Sequence, residues 1–180
     1  MKLIASKTGK KYLFRKLVKE DAVDLGIYFE RLSNESKKKF QPHPLTTAHA
    51  EHICTNITDY AVRFVLCDFN NSIIGYFLLD FGLIAHELNR YKNHGVDFDT
   101  NEVAFFAPSL ADNFQNLGLA SCVMPVIIDF LKTKDKKVMV LLGGVRESNS
   151  TAIAFYEKMG FVKVGGYQTD VWNFDMILKL

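Results

Sequence analysis

The sequence has no Cys-x-x-Cys pair, and its three cysteines, Cys54, Cys67 and Cys122, are scattered. This spacing argues against a zinc ribbon, a thioredoxin-type motif or a disulfide framework. Reduced, buried thiols in a cytoplasmic protein are expected instead. Neither charge is in excess: 22 Lys+Arg face 20 Asp+Glu, so nothing electrostatic points to nucleic acid or a membrane surface. No apolar run approaches the ~20 residues of a membrane span. The opening "MKLIASKTGKKYLFRK" holds too short an apolar stretch for a signal peptide. GxxxxGK[ST], an early GxGxxG and GxSxG are all missing, which speaks against P-loop, Rossmann and esterase-type sites. Without repeats or a Pro-, Gly- or Ser-rich linker, residues 1–180 are read as one domain.

What is present is apolar and aromatic: 48% of residues are hydrophobic and 15 are Phe, enough for a sizeable core. "KYLFRKLV" (11–18) alternates as a strand. "EDAVDLGIYFERLSNES" carries Ala22, Leu25, Ile27, Tyr28 and Leu32 near helical spacing, behind acidic residues that suit a helix start. After Pro42 and Pro44, a short helix is predicted from Thr46 or Thr47. "YAVRFVLCD" and "SIIGYFLLDF" flank the turn "FNNS" and predict a hairpin. Residues 84–100 are polar and irregular, with room for a short helical piece. "EVAFFAPSLA" reads as a strand in which Pro108 predicts a bulge or an interrupted ladder. "CVMPVIIDFLK" reads as a buried helix, with Pro125 placed in its first turns or at a kink. "KVMVLLGGV" is a buried strand. "SNSTAIAFYEKMGF" is a helix capped by Asn149 or Ser150 and stopped by Gly160, and two more strands end the chain. The class is α/β, with hairpins and one crossover unit.

"FQNLGLASCVM" (114–124) puts Gly118 and Ala120 where a helix begins. The first amides of a helix lack internal partners and carry the positive end of its dipole. Small residues let a phosphate reach them. Close helix–strand packing asks for the same small residues, so this stretch alone leaves two readings open. "NSTAIAFYEKMGF" (149–161) follows one helix and one strand later.

Together, "QNLGLA" and "NSTAIAFYEKMGF" resemble the GCN5-related N-acetyltransferase (GNAT) superfamily, and the order of elements matches along nearly the whole chain. "PSLADNFQNLGLA" and "NFDMIL" look most like the branch that includes the ribosomal-protein alanine acetyltransferases. The resemblance implies a mostly antiparallel central sheet of about seven strands and four helices, with a splayed pair of strands holding the cofactor. It implies a transfer of acetyl from acetyl-CoA, without metal, to a primary amine of a small molecule or peptide, in a ternary complex. The alternative is a non-catalytic acyl-CoA-binding domain of the same fold.

By that resemblance, the amides of Asn116, Leu117, Gly118, Leu119, Ala120 and Ser121 hold the pyrophosphate. Gln115, where many members carry arginine, adds a hydrogen bond without charge. Ala120 is tolerated if its φ is negative. Leu110 contacts the pantetheine arm, which lies in the splay that Pro108 causes. Asn149 either bonds that arm or is a plain N-cap. Tyr156 either protonates the leaving thiolate or is a core aromatic; a phenol of pKa near 10 suits the first role. Glu102 is either the base that frees the amine, with the strand parity of Ala104, Phe106 and Leu110, or an exposed glutamate. His43, Glu87 and Glu147 are weaker candidates. In the loop "KKKFQPHPL", Phe40 and His43 either line the acceptor pocket or belong to a surface loop with Phe40 in the core. "HELNRYKNHGVDFD" is another pocket wall or a mobile surface loop. His49 and His52 lack a third metal ligand and read as ordinary histidines. An exposed final strand makes a homodimer through the sheet conceivable.

Overall fold

A computed structural model describes residues 1–40, 42–82 and 84–180; Gln41 of the expected pocket loop lies outside the described residues. Packing divides the chain into two units, Met1–Leu79 with Pro108–Val123, and Asp80–Ala107 with Met124–Leu180.

In the first unit, β1 (Lys2–Ala5) pairs antiparallel with β2 (Lys11–Lys16), with Ile4 opposite Tyr12. β2 pairs antiparallel with β3 (Ala61–Cys67), with Phe14 opposite Leu66, and β4 (Ile73–Asp80) follows in the sheet. Residues of alternate parity along β2, Tyr12 and Phe14, point inward. Phe14 stacks on Phe64 at 5.1 Å and meets Phe77 edge-on at 5.5 Å. α1 (Ala22–Arg31) buries Leu25, Tyr28 and Phe29, an i, i+3, i+4 stripe. Ile27, expected on that stripe, is 43% exposed, and Phe29 takes its place in the core. The helix also ends earlier than "LSNES" suggested. Leu32 is extended, and Ser33 caps a separate helix, α2 (Asn34–Lys39), by accepting from the Ser36 amide. α3 (Thr47–Thr55) starts as predicted, with the Thr46 hydroxyl accepting from the His49 amide. Cys54 and Cys67 are buried, and burial pushes the Cys54 thiol up to about 11. Such a thiol is unreactive at neutral pH.

In the second unit, β5 (Val103–Leu110, whose last three residues belong to the first unit) pairs in parallel with β6 (Val138–Leu141). α5 (Leu119–Lys132), which starts in the first unit, makes the crossover between them. Pro125 lies inside α5, beyond its first turn, where its missing N–H removes one helical bond. The glycines after β6 form a turn into the two-residue β7 (Val145–Arg146). α6 (Ser150–Lys158) follows, and Gly160, at φ 92°, ends it as expected. β8 (Val162–Gln168) pairs antiparallel with β9 (Trp172–Lys179). β9 also pairs with β6 and β7, so the final strand is interior rather than an exposed edge. This removes the sheet-edge argument for a dimer.

The stretch 84–100 contains the short helical piece expected of it. It forms α4 (Ala85–Asn93), whose Tyr91 is fully buried with Val103, Phe105, Val140 and Ile177. The fold is thus the expected mixed α/β architecture with a mostly antiparallel sheet. Nine strands and six α-helices occur among the described residues, against about seven and four expected.

Candidate active site

The strand that leads to the glycine stretch is held in the first unit by a polar brace. Tyr28 Oη lies 2.8 Å from Ser109 Oγ, and the Ala111 amide donates to the Ile74 carbonyl at 2.9 Å. Asp112 accepts from the Ser33 amide at 3.0 Å and from the Ser33 and Ser36 hydroxyls at 2.7 Å each. Burial opposes ionisation of this carboxyl, yet the bonds from Ser33 and Ser36 hold it below the usual range. Gln115 completes the brace, its Nε2 donating to Ser36 Oγ and to the Leu110 carbonyl, both at 3.1 Å. A side-chain amide has two N–H donors. Both are used here, so the hydrogen bond expected from Gln115 to a phosphate has no donor left in this state. The separate α2 with its Ser33 cap was hidden in "SNES", which reads equally well as the tail of α1.

Beyond the brace, the chain turns on two left-handed residues, Asn116 (φ 61°) and Gly118 (φ 76°), while Ala120 is not left-handed, as its tolerance required. The first bond of α5 is Cys122 N to Gly118 O. Among the described residues, none of the amides from Asn116 to Ser121 donates to a backbone or side-chain acceptor. Free amides at the positive end of a fourteen-residue helix are donors of the kind an anion uses.

The β5–β6 ladder runs without a register shift from Val103↔Val138 to Phe106↔Leu141, and its last bond is Leu142 N to Phe106 O. β5 itself continues to Leu110. The pairing therefore ends two residues before Pro108, with no bulge between Val103 and Phe106. A cleft of about 100 Å³ lies along this free end of β5, lined by Ser36, Lys39, Phe40, Pro108, Ser109, Leu110 and Gln115. Phe40 thus does double duty, buried to 8% exposure and lining the cleft beside Leu110.

His43 does not line that cleft. Its ring packs against Phe40 at 5.0 Å and Tyr76 at 5.6 Å. Nδ1 lies 2.9 Å from the Pro44 carbonyl and Nε2 3.1 Å from Tyr76 Oη, which itself accepts from Arg63 Nε at 3.0 Å. A carbonyl only accepts, so Nδ1 carries the proton and Nε2 accepts from the tyrosine. Burial holds the imidazole neutral, with its pKa down to about 4. Both nitrogens are occupied, so His43 has no lone pair to offer a substrate.

In the second unit, Asn149 caps α6, with Oδ1 accepting from the Ala152 amide at 3.3 Å. The plain-cap reading is therefore observed. The cap uses only the oxygen, and Nδ2 has no partner among the described residues. Tyr156 is 7% exposed, with its ring between Phe155 at 5.1 Å and Phe161 at 5.3 Å. Among the described residues, no buried side-chain oxygen or nitrogen lacks a partner, and Tyr156 Oη has none. The hydroxyl thus makes no hydrogen bond to the described residues. Burial alone pushes its phenol well above the ordinary range, so it remains protonated at physiological pH.

Glu102 does not open the strand as expected. It lies just before β5 and is ion-paired with Lys137 Nζ, and its carbonyl accepts from the Lys137 and Val138 amides. That is the closed end of the β5–β6 pair, four residues and about 13 Å along the strand from Phe106, where the pairing stops. Glu87 is also committed, bound to both Nη atoms of Arg90, while Glu147 is exposed. His49 and His52 stack at 5.8 Å. No group of three or more His, Cys, Asp or Glu among the described residues is placed to hold a metal ion.

The family model of the acetyltransferase (GNAT) family matches residues 28–161, and the chain belongs to this family. Solved structures repeat its architecture. The GNAT domain of S. lividans PAT superposes with a TM-score of 0.76 at 18% identity, over 99% of this chain and 96% of that one. A ribosomal-protein-S5-alanine acetyltransferase from Vibrio fischeri gives 0.74 at 17% identity, over 93% and 92%. AAC(6')-Ib in complex with parmomycin and acetyl-CoA gives 0.70 at 17% identity, over 93% of each chain.

Proposed function

We propose that the chain is an acetyl-CoA-dependent N-acetyltransferase that acts on a primary amine of a small molecule or peptide. The observation that carries this reading is the row of unpartnered amides from Asn116 to Ser121 at the head of α5, in a chain of the GNAT family. These amides bind the pyrophosphate of the donor, and the free end of β5 at Leu110 receives the pantetheine arm by pairing as an added strand would. Asn149 contributes its unused Nδ2 to the same arm.

The acceptor nitrogen attacks the thioester carbonyl, the C–N bond forms and the C–S bond breaks. Tyr156 gives its proton to the departing sulfur, and the excess proton of the amine leaves through water. Two features favour this role for Tyr156: its hydroxyl has no partner among the described residues, and it stays protonated. The engagement of Glu102 by Lys137 leaves removal of the amine proton without a side chain assigned to it. Phe40 forms an apolar wall of the cleft where the acceptor enters. Nothing at the site singles out one amine class. The partner is a diffusible amine acceptor, and no described helix is long and apolar enough to cross a membrane.

The test is a calorimetric titration with acetyl-CoA, followed by a panel of amines assayed by thiol release. Binding with turnover of at least one amine is expected; binding without any turnover supports the acyl-CoA-binding alternative. Gly118→Glu puts a carboxylate among the free amides, at a left-handed position where any side chain is strained. Acetyl-CoA affinity should fall by about a hundredfold or more, two decades being about 2.7 kcal/mol. Unchanged affinity in a folded variant would reduce the loop to packing.

A further inference from the structure

The phosphate loop lacks a charge where many members of the family supply one. Gln115 is neutral, and both of its amide protons are bound within the brace. No acidic or basic residue occupies the first turn of α5. A cation reaches the loop from elsewhere in the first unit. Lys7 stands at the tip of the β1–β2 hairpin, and its alkyl chain lies over Gly118. A Cβ on that glycine would meet Lys7 Cε at 2.9 Å, Cγ at 3.1 Å and Cδ at 3.2 Å. The ammonium, one bond beyond Cε, is therefore within reach of the Gly118 turn.

The hairpin holds Lys7 there. Ser6 N donates to the Lys10 carbonyl at 2.8 Å, Gly9 N donates to the Ser6 carbonyl at 2.9 Å, and Ser6 Oγ lies 2.9 Å from Thr8 Oγ1. Tyr12 on β2, 3% exposed, packs edge-on to Phe114 at 6.2 Å, which fastens the hairpin to the turn before the loop. Lys7 is exposed and has no ion pair or hydrogen bond among the described residues. Its aliphatic chain lies by the Gly118 backbone while its charge is left unused, an arrangement suited to a phosphate.

We propose that Lys7 is the cationic ligand of the donor's pyrophosphate, a charge supplied by the N-terminal hairpin in place of one at position 115. This inference rests on the proposed acetyl-CoA site. It implies that donor binding is salt-sensitive through a residue far from the motif in sequence. An ammonium acting as a point charge on phosphate is enough for the role.

The experiment is calorimetry of the full chain and of Lys7→Ala, Lys7→Arg and the control Lys179→Ala. The ligands are coenzyme A, dephospho-coenzyme A (which lacks the 3′-phosphate) and pantetheine (which lacks all phosphates), each at low and high salt. Lys7→Ala should weaken coenzyme A and its dephospho form alike, by about tenfold at low salt and less at high salt. Pantetheine binding should not change, Lys7→Arg should restore most of the affinity, and Lys179→Ala should match the wild type. With a turnover substrate, KM for acetyl-CoA should rise while kcat stays. A loss confined to the ligand with the 3′-phosphate would overturn the pyrophosphate assignment. Equal affinity of Lys7→Ala and wild type would overturn the inference while leaving the acetyl-CoA site intact. Failure of the wild type to bind any of the phosphorylated ligands would remove the proposed function itself.

Discussion

The loop from Asn116 to Ser121 and the charged cluster around Arg90 treat polar groups in opposite ways. In the loop, backbone donors are left without partners. In the cluster, every charge is matched. Arg90 Nε donates to Asp175 at 2.9 and 3.0 Å, and its Nη atoms donate to Glu87 at 2.8 and 2.7 Å. Glu87 also accepts from the Gly143 amide, and His94 Nε2 lies 3.2 Å from Asp175. The guanidinium rests over the Tyr167 ring at 4.1 Å. Burial would lower the Arg90 pKa, but the bonds from both carboxylates drive it above its ordinary value. A polar group left open at a surface is available to a ligand; one saturated inside the protein is available only to the fold.

The comparison breaks first at Arg90. Arg90→Met removes the guanidinium that joins two buried carboxylates, Glu87 at 2% and Asp175 at 0% exposure. Loss of one partner of a buried pair costs about 3–5 kcal/mol. Urea unfolding should show that loss, and a variant as stable as wild type would mean that the cluster contributes nothing to stability.

Tyr156→Phe should do the reverse. It removes a hydroxyl that has no partner among the described residues, so the unfolding midpoint should hold. Turnover should fall by about a hundredfold or more, as for loss of a general acid, with acetyl-CoA affinity kept. Equal turnover would remove Tyr156 from the chemistry.

A smaller effect sharpens the contrast at His43, a saturated group that titrates. Its folded pKa of about 4 lies below the ~6.5 of an unfolded histidine. The folded chain binds fewer protons between these values. Stability present above pH 6.5 is therefore lost as pH falls toward 4. Between pH 7 and pH 5 the loss is about 2 kcal/mol. His43→Asn should show a shallower decline over that range; identical slopes would mean that the ring titrates freely.

Much of this was legible because it is local. Gly118, Asn149, Tyr156 and Gly160 are read from a motif whose spacing reflects one loop and one helix, and Thr46 and Gly160 mark helix ends by their own chemistry. Other features were not legible because their partners are distant in sequence. Glu102 looked available until Lys137, 35 residues on, was seen to hold it. Gln115 looked like a phosphate donor until Ser36 was found to take one of its protons. The glycine pair before Tyr167 gave no hint of its purpose. A Cβ on Gly165 would meet the His94 ring at 2.3 Å, so that glycine makes room for the residue that caps the end of α4.

By itself, the sequence determined the family and most of the order of elements. Periodicity, caps and short motifs act over a few residues, and the chain states them directly. Only the tertiary structure decided which of the named side chains remain free to act. That depends on pairings made across long separations: Arg90 with Asp175, His43 with Tyr76, Lys7 beside Gly118. A hydrogen bond or ion pair consumes a donor wherever its partner lies along the chain, and folding alone brings such partners within reach.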